Sequence, residues 1–171
     1  SALSAADFQH VYGVNVVGAF QMIRAVEPAM RKQGGGAVVN VSSIAAVMGI
    51  GTSVAYAASK GALNTMTLSL ARALGPQIRV NAVCPGFVET RWLQEAIGPG
   101  YEGAKARYMS NAALQKVCTP EDIARFADVI TARYAAPEEV LETPAGRNSI
   151  LKDRNGVALG MLTAVQRTFD L

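Results

Sequence analysis

The chain has 171 residues, half of them apolar and 17% charged, with a formal net charge of +3. That length suits one domain able to bury about 70% of its unfolded surface, and the composition excludes a disordered chain. The positive excess is dispersed. Residues 1–80 carry Arg24, Arg31, Lys32, Lys60, Arg72 and Arg79 against Asp7 and Glu27, with no basic run. This argues against nucleic acid as a partner and for attraction of an anionic cofactor. Cys84 and Cys118 lack the spacing of a metal site or a disulfide framework, which reads as a reduced, cytosolic protein. No apolar run approaches the roughly 18 residues of a membrane helix, and no charged-then-apolar leader is visible. The opening Ser-Ala-Leu, in place of Met, suggests a processed product or a fragment.

In chain order, Ser4 to Asp7 has the spacing of a capping box and predicts a helix start. Apolar residues recur near a 3.6 period from Phe8 to Met30, with Pro28 as a kink and Gly34-Gly35-Gly36 as the stop. Gly13 and Asn15 are poor helix formers inside that span; Asn15 reads either as a tolerated polar residue or as part of a site. Ala37 to Val41 is apolar on both faces, as in a buried parallel strand. A glycine-bearing loop follows, then a helix from about Ser53 to Leu74, closed by Gly75-Pro76. Ile78 to Val83 predicts a second strand, cut off by Pro85. Arg91 to Gly103 reads as a mobile flap, and Thr119-Pro-Glu-Asp122 as the start of a helix to about Tyr134. Residues 136–149 look like loop, and 157–166 are compatible with strand or helix. No repeat or linker divides the chain.

Strand, helix and strand over Ala37–Val83 make a βαβ unit, hence an α/β fold with a parallel sheet. Both strands then end at one sheet edge, where ligands bind in open α/β sheets. Ser42-Ser43 leave one strand there, the Pro85–Thr90 loop leaves the other, and the connecting helix brings Tyr56 and Lys60. Tyr56 and Lys60, four residues apart, share a helix face. An ammonium beside a phenol favours the phenolate, so proton transfer to or from an oxygen is the chemistry suggested.

Other chemistries fail on the residues present. Gly98 to Gly103 matches G-x-G-x-x-G literally, but follows a helical-looking stretch and carries a proline, so it reads as a surface loop. His10 is the single histidine and lies in the first helix, and there is no G-x-S-x-G elbow, which leaves a serine hydrolase without its base. Metal catalysis lacks clustered ligands. Phe87, Trp92 and Tyr101 are core, flap or substrate-contacting residues.

Asn15-Val-Val-Gly18, Asn40-Val-Ser-Ser43, Tyr56-Ala-Ala-Ser-Lys60-Gly-Ala and Arg79-Val-Asn-Ala-Val-Cys-Pro-Gly86 resemble, in order and at family-like separations, the short-chain dehydrogenase/reductase family. The resemblance covers roughly residues 1–130 and leaves 136–171 unassigned. It implies a partial Rossmann-like, doubly wound parallel sheet, in a single incomplete domain lacking the adenine-binding half. It further implies a catalytic set of Asn15, Ser43, Tyr56 and Lys60. Tyr56 would be the acid/base, Lys60 its cationic neighbour and a ribose ligand, Ser43 the holder of the substrate oxygen, and Asn15 the anchor of a water leading to Lys60. Pro85, Gly86, Val88 and Thr90, with Tyr56 and Lys60, would bind the nicotinamide end of NAD or NADP. The implied substrate is a small secondary alcohol or ketone, and the implied assembly a homodimer or homotetramer. An inactive remnant serving as an assembly module is the alternative.

Overall fold

The computed structural model describes residues 3–51, 53–133, 141–143 and 146–150. Helix α1 (Ala5–Tyr12) starts as the capping box predicts. The Ser4 hydroxyl accepts from Asp7 N at 3.1 Å, and Asp7 Oδ2 accepts from Ser4 N at 3.0 Å. The poor helix formers leave a mark: Gly13–Gly18 widens into a π-helical turn before α2 (Ala19–Lys32) resumes. Pro28 sits inside α2, and the chain turns at Gln33-Gly34 into strand β1 (Gly36–Val41).

After β1 comes a helical turn that its composition did not advertise, α3 (Ala45–Met48). The long helix α4 (Val54–Leu74) follows, with Ser53 as N-cap, and then strand β2 (Ile78–Val83). β1 and β2 pair in parallel, from Gly36 opposite Ile78 to Val41 opposite Val83, so the βαβ unit stands as expected. Ile23 of α2 and Leu74 of α4 pack on Ile78 and Val80 of one sheet face, with Met30, Val38, Leu70 and Ala71 around them. Ile78 is fully buried. On the same face Asn40 Nδ2 donates to Thr67 Oγ1 at 2.8 Å, whereas on the alternate face the buried Asn81 Nδ2 has no hydrogen-bond partner among the described residues.

The alternate face is held by α7 (Pro120–Arg133). Arg79 donates to the carbonyls of Ile130 and Thr131 at 3.1 and 2.9 Å, a cation satisfying the end of a helix. Helices thus pack on both sheet faces without covering them fully, the doubly wound arrangement in partial form. Both ends of α7 are therefore determined: at its start, Thr119 Oγ1 accepts from Asp122 N and Asp122 Oδ2 from Thr119 N.

Three expectations need correction. Arg91–Gly103 is not an irregular flap but helix α5 (Arg91–Ile97), a 3-10 turn (Gly98–Gly100) and the first residues of helix α6 (Tyr101–Asn111). The Gly98–Gly103 stretch is accordingly no surface loop: its first three residues turn the chain and Gly103 lies within α6. Tyr101 drives this order, being 6% exposed with its ring 5.5 Å from that of Phe87, a contact between distant residues that local composition does not reveal. Third, residues 136–149 include strands, β3 (Leu141–Thr143) and β4 (Gly146–Ile150), which pair antiparallel. The 157–166 stretch lies outside the described residues.

Candidate active site

The parallel ladder continues beyond the strands and sets the site. Ser42 N donates to Val83 O at 2.8 Å, and Ile44 N to Pro85 O at 3.0 Å, so Ser43 is carried alongside the Pro85-Gly86 bend. Two further bonds staple α4 to the same edge. Ser42 Oγ donates to Lys60 O at 3.1 Å, and Lys60 Nζ donates to Val41 O at 2.9 Å. The sheet edge therefore positions both the start of α4 and the end of Lys60.

A cavity of about 340 Å³ opens at this edge. Ser43, Tyr56 and Lys60 line it together with Pro85, Gly86, Val88 and Thr90, so seven of the eight residues singled out from the sequence meet in one place. Asn15 is the eighth, and it does not line the cavity. Its Nδ2 instead donates to Ser59 Oγ at 2.9 Å, and Ser59 Oγ donates to Tyr56 O at 2.8 Å. Since Ser59 is fully buried, this relay fixes the first turn of α4 beneath Tyr56. The π-helical turn thereby points Asn15 at α4.

Local bonding decides what each group has free. Ser43 Oγ accepts from Ala45 N at 3.1 Å, which leaves its proton available to a ligand oxygen. Tyr56 stands in the first turn of α4, where its amide donates to Ser53 Oγ at 3.1 Å and the unpaired helix N–H groups supply partial positive charge. Lys60 Nζ lies 5.6 Å from the centre of the Tyr56 ring. Burial pushes the Lys60 amine below the ordinary lysine value, partly offset by the Cys84 thiol group. Gly51, at φ 125°, lets the preceding loop pass the Tyr56 ring, where an added Cβ would lie 3.6 Å from the ring edge.

The opposite wall was not foreseen as a unit. Ile44, Ile50, Phe87 and Leu93 make it apolar, with Trp92 at its mouth and Tyr108 reaching in from α6. Tyr108 lies 22 residues beyond Gly86, and its place follows from the packing of α6, for which the sequence carries no periodic signal. Among the described residues no cluster of His, Cys, Asp or Glu suits a metal, both cysteines are free thiols, and no helix is long and apolar enough to cross a membrane. His10 is exposed on α1.

A parallel sheet edge bearing a serine, a tyrosine and a lysine around one cavity is the arrangement that the sequence resemblance implies for an α/β protein. A family model described as enoyl-(acyl carrier protein) reductase matches residues 1–135, and the chain belongs to the short-chain dehydrogenase/reductase family. It is 38% identical over 130 residues to the Bacillus subtilis short-chain dehydrogenase/reductase homolog YusR, covering 76% of this chain and 97% of that one. A Burkholderia xenovorans structure assigned to the same family is 43% identical with a TM-score of 0.69, over 78% of this chain and 51% of its own. An NAD+-bound xylitol dehydrogenase is 29% identical with a TM-score of 0.65, over 75% of this chain and 54% of its own. The chain thus spans about half the length of both solved structures, and nearly all of the Bacillus relative.

Proposed function

We propose that the chain supplies the catalytic half of an NAD(P)-dependent oxidoreductase acting on a small secondary alcohol or ketone. The observation that carries this reading is the convergence of Ser43, Tyr56, Lys60 and the Pro85–Thr90 segment on one cavity at the carboxyl edge of the parallel sheet. The residues fit the nicotinamide end of such a cofactor: Pro85, Gly86 and Val88 offer a flat apolar wall, and Lys60 holds a half-buried amine beside it. They do not make a pyrophosphate cradle. Among the described residues, no glycine-rich turn joins a strand to a helix. The nicotinamide, when bound, supplies the hydride chemistry.

The chain's own part is proton transfer and positioning. In the reduction direction, Ser43 donates a hydrogen bond to the carbonyl oxygen and holds it toward Tyr56. The Tyr56 hydroxyl gives its proton to that oxygen as negative charge develops there. The Lys60 cation and the α4 amides stabilise the phenolate left behind. Oxidation runs the same steps in reverse. Asn15 acts at one remove, by fixing the backbone that carries Tyr56.

The test supplies millimolar NADH or NADPH, so that weak hold on the pyrophosphate does not limit the rate, and follows cofactor absorbance against a panel of small ketones. Turnover is expected, with kcat/KM falling about 100-fold in Ser43→Ala, the scale of losing one oxyanion donor. No turnover with any ketone contradicts the reading.

A second reading, an assembly module, is favoured by one feature. Val14, Met22, Val54 and Leu68, on the first helical segment and on α4, are apolar yet 60% exposed or more, surfaces suited to the homodimer or homotetramer that the resemblance implies.

A further inference from the structure

One face of α6 is fastened to the segment that follows β2. Tyr101, Lys105 and Tyr108 recur at helical spacing. The rings of Tyr101 and Tyr108 lie 5.5 and 5.6 Å from that of Phe87, and Lys105 is ion-paired with Glu89 between them. The base of this segment is also tied down, since Cys118 N donates to Phe87 O at 3.1 Å and Glu89 N to Cys118 O at 2.8 Å. Residues 90–117 therefore leave and return at one point, and the docked face of α6 brings Tyr108 into the cavity lining.

The Tyr108 hydroxyl comes to rest directly on Gly86. A methyl group added to Gly86 would overlap that hydroxyl and stand 2.7 Å from the Cζ atom of the same ring. A side chain at 86 and the Tyr108 ring thus compete for one space, and the ring lines the cavity that Ser43, Tyr56 and Lys60 share. Resting on the reading under Proposed function, we propose that Tyr108 is the specificity-determining residue of this site. It is a size gate that confines the substrate substituent on the Phe87 side of the cavity to a small, uncharged group. The remaining lining on that side is apolar: Phe87, Leu93 and Trp92. Charged substituents gain no partner there.

Two measurements on the full chain test this. First, thermal unfolding reads the contact. Gly86→Ala is expected to lower Tm by about 5 °C in the native background and much less beside Tyr108→Ala, because the overlap is gone. Equal losses in both backgrounds overturn the contact. Second, Trp92, the single tryptophan, lines the cavity and reports ligand entry by fluorescence without any cofactor. Butan-2-one and 2-acetonaphthone serve as small and bulky probes. Tyr108→Ala is expected to shift the ratio of their Kd values at least about tenfold toward the bulky ketone, and an unchanged ratio overturns the gate. Tyr108→Phe keeps the stacking on Phe87 while removing the hydroxyl, so a smaller shift in the same direction is expected even if the alanine variant folds poorly. A shifted Kd ratio with no NAD(P)H-dependent turnover leaves the gate standing and removes the oxidoreductase reading. Turnover whose size preference ignores Tyr108 does the opposite.

Discussion

Lys60 shows how a half-buried cation is held at a cost to the fold. Its amine is half-buried, donates to Val41 O, and is pushed below the ordinary lysine value by desolvation. The sign follows from that shift. Protonated Lys60 penalises the folded state below its folded pKa, and the penalty is relieved as pH rises from there toward the ordinary lysine value. Lys60→Met, which keeps the stem and removes the charge, is therefore expected to leave Tm at pH 7 unchanged or raised while abolishing ketone turnover. A fall in Tm with turnover retained would make Lys60 a structural residue. Tyr56 and Ser43, which also line the cavity, are constrained differently: the Tyr56 amide donates to Ser53 Oγ, and Ser43 Oγ accepts from Ala45 N.

Among the elements, legibility tracked punctuation. β1, α4 and β2 sit within a residue of their expected bounds, because Gly34–Gly36, Gly75-Pro76 and Pro85 break the chain on either side of unambiguous apolar runs. The same signal misled at Gly98–Gly103. There a 3-10 turn absorbs the glycines, and burial of Tyr101 against Phe87 offsets the poor helix propensity that follows. Short elements were invisible: α3 spans four residues, and β3 three. Within the site, Ser43, Tyr56, Lys60 and the Pro85–Thr90 segment were legible because sheet topology brings them together. Tyr108 was not, since its position depends on how α6 docks.

The helix starts carry their own prediction. Hydrogen bonds from Thr119 and the neighbouring Arg125 hold the Asp122 carboxyl below the usual carboxylate value, and those from Ser4 do the same for Asp7. Stability from such groups is present above the unfolded carboxylate pKa and is lost as pH falls through the depressed folded value. Melting curves of wild type and Asp122→Asn should therefore differ at pH 7 and converge as pH falls through the depressed folded value of Asp122, since protonation then makes the two side chains alike in charge. A gap that persists at low pH would assign the effect to shape and not to charge.

For the whole molecule, the two-stranded parallel sheet is the telling feature. Parallel sheets are ordinarily buried on both faces and built from more strands, yet Val41 at the end of β1 is 53% exposed. The apolar residues left on α1–α2 and α4 add to this uncovered surface. Self-association through those helices is the expected outcome, so sedimentation analysis of the 171-residue chain should give a dimer or tetramer mass. A monomer at tens of micromolar would remove the assembly reading and leave the catalytic one untouched.

The central claim is that the Tyr56 hydroxyl exchanges the proton with the substrate oxygen. Comparing wild type with Tyr56→Phe, at millimolar NAD(P)H and a small ketone, tests it most directly. A fall in kcat of about 1,000-fold, with cofactor Kd changed less than about twofold, is the result expected from losing a general acid. Turnover within tenfold of wild type in the phenylalanine variant would contradict the account.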